Sequence, residues 1–184
     1  MSDDKLPSIL DNTSDTKLID ALKRLIPSAK SWDIATGYFD IGSLLSLDGL
    51  WQQVPKIRII MGDETTKRTM KILVESIVAR AHQNIEEEKE GKDFRTLSGL
   101  ASIGKALKQG HINVRIYNRN KFHAKAHILK TDQPTNYAIL GSSNFTSPGL
   151  TENIELNAFL TNKEHIDALS DWFERIWLES EGVK

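Results

Sequence analysis

The feature that most constrains this chain is a change of rhythm near its middle. Up to Gly110, apolar residues recur at strand spacing and at helix spacing in turn; beyond it, short strand-like runs follow one another with brief breaks. In the first half, Leu18, Leu22, Leu25 and Ile26 recur at helical spacing behind Thr13 or Ser14 as an N-cap, which predicts a helix over 14–27. Residues 31–39 and 56–61 read as strands, 41–51 as a short helix, and 65–88 as a long helix with Met70, Leu73, Val74, Ile77 and Val78 on one side. A further helix over 94–108 is stopped by Gly110. In the second half, 113–117, 122–129, 137–140 and 154–160 read as strands, and 141–150 as a Ser-, Asn-, Gly- and Pro-containing loop. A closing helix over 165–178 carries Ile166, Leu169, Phe173 and Ile176 as a stripe, flanked by Trp172 and Trp177 as core or interface packing. Alternation early and clustering late predict an α/β fold, a mixed β-sheet with helices on both faces.

With 184 residues, the chain suits one domain, 1–184, and its abrupt end predicts the N-terminal domain of a longer protein. There is no cysteine, which excludes disulfides and cysteine-based zinc sites. No apolar run approaches the ~18 residues of a membrane span. The start, MSDDKLPSIL, lacks the basic and apolar stretches of a signal peptide, so a cytoplasmic protein without membrane contact is expected. The net charge of -1 says nothing about nucleic acid. Its distribution says more: seven basic residues and no acidic one lie between 105 and 131 (Lys105, Lys108, Arg115, Arg119, Lys121, Lys125, Lys130), just after an acidic run of Glu86, Glu87, Glu88, Glu90 and Asp93. Each run suits a solvated surface; the basic one also suits a phosphate-rich partner.

The chemistry concentrates between Phe122 and Glu155. On a strand, His123, Lys125 and His127 of FHAKAHIL share one face. An ammonium beside an imidazole disfavours the imidazolium unless an anion sits between them, and a phosphate reconciles the pair. Gly141, Ser142, Ser143 and Asn144 follow the next strand, with hydroxyls, an amide and backbone N–H groups suited to phosphate oxygens. Glu155, eleven residues on, is a candidate to accept a hydrogen bond from the imidazole Nδ1 and leave Nε2 free to attack. His127 reads equally as site lining or as polar packing. Taken singly, a strand histidine is more often structural than catalytic, and a GSSN stretch is often an ordinary turn.

In this order, His123-x-Lys125, Gly141-Ser142-x-Asn144 and Glu155 resemble the signature of the phospholipase D superfamily. The strand end Thr36-Gly37-Tyr38-Phe39 and the strand KIRIIMG are similar to that family's first half. One position departs: Lys130 stands where the family has an aspartate, and Asp132 is its nearest substitute if the strand bulges. The resemblance implies a phospholipase D-like fold with one half-site per chain and a two-histidine reaction through a phosphohistidine, with no metal and no cofactor. It implies His123, Lys125, Asn144 and Glu155 as catalytic residues, with Lys125, Ser142, Ser143 and Asn144 holding the phosphate. Since only one such His-Lys pair exists here, a homodimer is implied. Among single-motif members the chain resembles nuclease domains of restriction enzymes and N-terminal domains of bacterial helicase-like proteins. DNA is therefore the expected substrate, with a fused helicase or target-recognition domain as an expected partner. Two alternatives stay open: hydrolysis of a phospholipid or another phosphodiester, and an inactive domain kept for DNA binding or dimerisation.

Overall fold

The computed structural model describes residues 6–13, 15–62 and 91–182, with the backbone alone for 91–97. The helix expected over 65–88 and the acidic run at 86–90 lie outside the described residues.

Eight strands form one sheet: β1 (Ile9–Leu10), β2 (Ala29–Thr36), β3 (Lys56–Gly62), β4 (Ile112–Tyr117), β5 (Ala126–Thr131), β6 (Tyr137–Gly141), β7 (Asn157–Leu160) and β8 (Glu181–Gly182). Their order is β1-β7-β6-β5-β2-β3-β4-β8. β2, β3 and β4 run parallel, and every other pairing is antiparallel. The change of rhythm thus has a spatial counterpart, since parallel neighbours need long crossovers and antiparallel ones need only turns. β2 is the seam between the two regimes.

The helices are α1 (Leu18–Leu25), α2 (Ile41–Leu45), α3 (Gly91–Lys108), α4 (Ser147–Thr151) and α5 (Lys163–Glu179). One face of the sheet presents Trp32, Ile34, Ile59, Leu129 and Ile139 to α1, α2 and α3. The opposite face presents Ala35, Ile60, Ala126, Ile128 and Ala138 to Ile166, Phe173 and Ile176 of α5. This is the expected mixed sheet flanked on both faces. No described helix is long and apolar enough to cross a membrane.

Several boundaries differ from expectation. α1 begins at Leu18 rather than 14, and Thr13 does not cap it. Asn12, in the left-handed region at φ 65°, accepts from the Leu18 N–H at 2.8 Å, and its Nδ2 donates to the carbonyls of Gly149 and Asn153, each at 2.9 Å. Thr13 instead donates to Asp11. The loop expected over 141–150 contains α4, which Thr146 caps through the Gly149 N–H. Asp132 does not take over a buried role: it is exposed and pairs with Lys30 at 2.8 Å, where β2 bulges against β5 between Ala29 and Ser31. Trp51 is 1% exposed and belongs to the core.

Candidate active site

Because β2, β3 and β4 are parallel, Thr36, Gly62 and Tyr117 end at one edge of the sheet. β5 starts at that edge, since its Ala126 pairs with Ala35 of β2. The chain must therefore run from the end of β4 past the ends of β3 and β2 to reach β5, and residues 118–125 make this crossing. The passage is close: a Cβ on Gly62 would lie 3.0 Å from the Phe122 carbonyl oxygen and 3.2 Å from that of Gly37. This corrects the expected strand over 122–129. His123 and Lys125 precede β5, and only His127 is on it. A segment that passes over strand ends cannot also pair as a strand, so the three side chains do not share one face by alternation.

The two histidines consequently have different environments. His123 is exposed, its ring edge-on to Tyr38 at 6.3 Å between centroids. His127 pairs with Ile34 and Ile139 and is 3% exposed, against Trp32 and Phe145. Among the described residues its Nδ1 has no hydrogen-bond partner, and burial pushes its pKa down to about 3. Of its two readings, the geometry supports polar packing in the core.

Lys125 is 6% exposed, with its Nζ donating to the His123 carbonyl at 2.8 Å. Burial lowers its pKa from the ordinary value, and the nearby Glu155 carboxylate opposes that shift. Its carbonyl accepts from the Gly141 N–H at 3.2 Å, which ties the crossing segment to the turn after β6. At Gly141 a Cβ would meet the Leu156 carbonyl oxygen at 2.3 Å and the Asn157 Cα at 2.6 Å, so only glycine lets the turn close against the start of β7.

Asn144 is half-buried, and its Oδ1 accepts from the Tyr38 N–H at 3.0 Å. That bond fixes the orientation of the amide and keeps its NH2 as the donor end. Gly37 makes room for this arrangement: a Cβ there would lie 3.1 Å from His123 Cδ2 and 3.3 Å from Asn144 Oδ1. Thr36 is fully buried, its Oγ1 donating to the Tyr38 carbonyl and accepting from the Phe145 N–H at 2.9 Å. Phe145, fully buried, packs against Trp32, Phe39 and His127 at 5.5–5.7 Å between centroids and anchors the turn in the core. Asp40 accepts from the N–H groups of Ser43 and Ser147, so one carboxylate serves the starts of both α2 and α4.

The remaining candidates are engaged within the chain. Ser142 donates its hydroxyl to Glu155 and accepts from the Leu156 N–H at 2.9 Å. Ser143 is 2% exposed, and its hydroxyl accepts from Asn157 Nδ2 at 2.9 Å. Glu155 precedes β7 rather than opening it, and its partners are Ser142 and Asn153, not His123 of the same chain. His123, Lys125 and Asn144 thus meet at one sheet edge around Gly37, with Glu155 near enough to act on Lys125. Two further residues shape the edge: Gly37, which the sequence offered only as part of a strand end, and Asn157. A single Asn inside the apolar run LNAFL was the available signal for the latter.

The arrangement offers an exposed imidazole, a buried ammonium and an oriented amide donor, a set suited to an anionic oxygen-rich group. Among the described residues, no cluster of three or more His, Asp or Glu side chains could hold a metal ion.

No curated protein matches the chain in sequence. In structure it is similar to Nuc from Salmonella typhimurium, a phospholipase D family member, at 14% identity and a TM-score of 0.59, with 96% of each chain covered. It is similar to NucT from Helicobacter pylori at 17% identity and a TM-score of 0.56, covering 90% of this chain and 91% of that one. It is also similar to the archaeal chromatin protein TrmBL2, at 12% identity and a TM-score of 0.57, covering 99% of this chain and 57% of the other. A family model described as "Cardiolipin synthase, PLD-like domain" matches residues 22–177, and with the motif residues gathered at one sheet edge the chain belongs to the phospholipase D-like family.

Proposed function

We propose that this chain is a metal-independent phosphodiesterase, a nuclease acting on DNA, whose complete site forms from two copies of the chain. The observation that carries this reading is the exposed His123 imidazole beside the buried Lys125 ammonium and the oriented Asn144 amide. His123 Nε2 attacks phosphorus, so an N–P bond forms as the P–O bond to the leaving group breaks. The same histidine of the second copy gives its proton to the leaving oxygen. It then takes a proton from water, whose oxygen displaces the first histidine from phosphorus. Lys125 and Asn144 stabilise the charge that builds on the non-bridging oxygens. Glu155 is proposed to orient a histidine; because its partners within the chain are Ser142 and Asn153, that histidine is assigned to the second copy.

Two copies are required by arithmetic, since each chain has one His-x-Lys pair. Exposed apolar side chains support an interface beside the turn: Leu140 just before Gly141, Ile154 next to Glu155, and Leu156, whose carbonyl accepts from the Ser142 N–H. The structural likeness to TrmBL2, whose structure shows a mode of DNA binding, supports nucleic acid as the partner. So do exposed Arg119 and Lys121 leading into His123. The 1–184 segment is proposed to work as one domain of a longer protein that supplies targeting.

The test is incubation of purified chain with plasmid and single-stranded DNA, with and without EDTA. Cleavage that survives chelation is expected; cleavage abolished by EDTA and restored by magnesium overturns the mechanism. The same apolar patch favours a second reading, hydrolysis of a phospholipid at a membrane surface. A stable dimer by light scattering together with no binding to anionic vesicles rejects that second reading.

A further inference from the structure

Beside His123 lies a cleft of about 260 Å³, and of its lining the proposed phosphodiesterase mechanism uses only His123. Its lining includes Tyr38, Asn118, Asn120, Lys121, Phe122 and His123. The wall is held firmly. Phe122 packs on Tyr117 at 5.6 Å and stacks on Trp172 at 6.4 Å, while the Tyr38 backbone is tied to Asn144 and Thr36. Tyr38 is 37% exposed, with its ring edge-on to the His123 imidazole.

The chemistry of this lining narrows what it can hold. Asn118 and Asn120 are exposed amides, each able to donate and to accept, as the polar edge of a nucleobase requires. Tyr38 supplies an aromatic surface to which any base can stack. Lys121 supplies a cation for the phosphate that follows along a strand, and it disfavours a quaternary ammonium headgroup. The cleft is smaller than the roughly 300–1,000 Å³ of pockets that enclose drug-sized ligands. It therefore suits one nucleoside and not the body of a diacyl lipid.

We infer that this cleft is a nucleoside subsite, in which Tyr38 receives the base next to the scissile phosphate and so makes the chain selective for single-stranded nucleic acid. A base can reach Tyr38 only when it has left the stack of a duplex, and a strand already unpaired spares that cost. The inference rests on the phosphodiesterase reading for its link to cleavage, but the subsite itself can be tested apart from it.

The probes are a labelled thymidine trinucleotide and its twin with the middle base removed. Stacking of the size measured on single-strand-binding proteins corresponds to roughly fivefold to a hundredfold per base. The wild-type chain should therefore cleave the intact trinucleotide with a kcat/KM at least about fivefold above its abasic twin. Tyr38→Ala should bring that ratio to about one, and Tyr38→Phe should keep it, because stacking needs the ring and not the hydroxyl. Equal cleavage of both probes by the wild-type chain, a comparison that needs no variant to fold, overturns the subsite. An unchanged ratio in Tyr38→Ala overturns it too. If the wild-type chain cleaves neither probe, the hydrolysis reading falls, and fluorescence anisotropy on the same two probes decides the subsite. Tighter binding of the intact probe that Tyr38→Ala abolishes upholds it, and equal binding overturns it.

Discussion

Two clusters of charge sit on this sheet, and they are built in opposite ways. At the strand-end edge, His123, Lys125 and Asn144 keep donors unspent: the imidazole is exposed, and among the described residues the ammonium has a single backbone carbonyl as its hydrogen-bond acceptor. In the sheet, Asp33 and Arg58 stand directly opposite each other on β2 and β3 and are satisfied. Arg58 makes two bonds of 2.7 Å to Asp33 and two more, at 2.6 and 3.0 Å, to Glu174 of α5. Its guanidinium also lies over the rings of Phe173 and Trp177, and Trp177 takes Arg115 as well, at 4.5 Å. These bonds hold Arg58 well above its ordinary pKa and keep Glu174 below the usual carboxylate range. A cluster closed on itself fixes the docking of α5. A cluster left open suits an anionic partner such as the phosphate proposed above.

The sharpest way to break this comparison is to remove one member of each. His123→Ala should reduce phosphodiester cleavage to background while the thermal midpoint changes little, because the side chain is exposed and no neighbour can replace it as nucleophile. Arg58→Ala should do the reverse. It leaves Asp33, 1% exposed, as an unpaired buried carboxylate, at a cost of about 3–5 kcal/mol that denaturant unfolding will read. Full cleavage by His123→Ala ends the catalytic assignment. Within the open cluster, Lys125→Ala and Asn144→Ala should each lose on the order of 10²-fold in kcat, as do other preorganised donors to developing oxyanions. Losses confined to KM mean that the two side chains bind ground state and transition state alike.

The closed cluster was legible in principle, as one charged residue inside each of two apolar runs, WDIA and IRIIM. The open cluster was legible by motif, but its geometry was not. Reading FHAKAHIL as one strand put His123 and His127 together, whereas the crossing over strand ends separates an exposed imidazole from a neutral core one. Nothing local marks where such a crossing ends, because it is set by the position of β5 in the sheet. Ser143 misled for a related reason: its partner Asn157 is fourteen residues away and becomes a neighbour only through the pairing of β6 with β7. The mixed sheet itself was readable because the spacing of apolar residues reports burial directly.

A smaller perturbation asks how finely the open cluster is set. Gly37→Ala adds one carbon within 3.1–3.3 Å of His123 Cδ2 and Asn144 Oδ1, so both must shift by a few tenths of an ångström. Roughly tenfold in kcat should be lost, given that misplacements of ~1 Å can cost 10²-fold, with little change in stability. An active Gly37→Ala chain with wild-type kcat would mean that the edge adapts, which sets it further apart from the rigid Arg58 cluster.

The smallest effect is a displacement of the pH profile, and it tests whether Glu155 belongs to the open cluster at all. Lys125 must be charged to stabilise a phosphoryl oxygen. Burial lowers its pKa below the ordinary 10.5, and the Glu155 carboxylate acts against that by favouring the charged form. Activity that depends on charged Lys125 is present below its pKa in the free protein and is lost as pH rises through it. The alkaline limb of kcat/KM should therefore lie below pH 10.5 in the wild-type chain. Glu155→Gln removes the opposing attraction, so Lys125 gives up its proton more readily and the limb moves to lower pH. The amide keeps a similar shape and can still accept from the Ser142 hydroxyl, so the turn should stay in place and the displacement should report charge rather than packing. Turnover at the optimum should fall as well if Glu155 orients a histidine. A limb that stays where it was, or moves to higher pH, would separate Glu155 from Lys125 and leave it only its bond to Ser142.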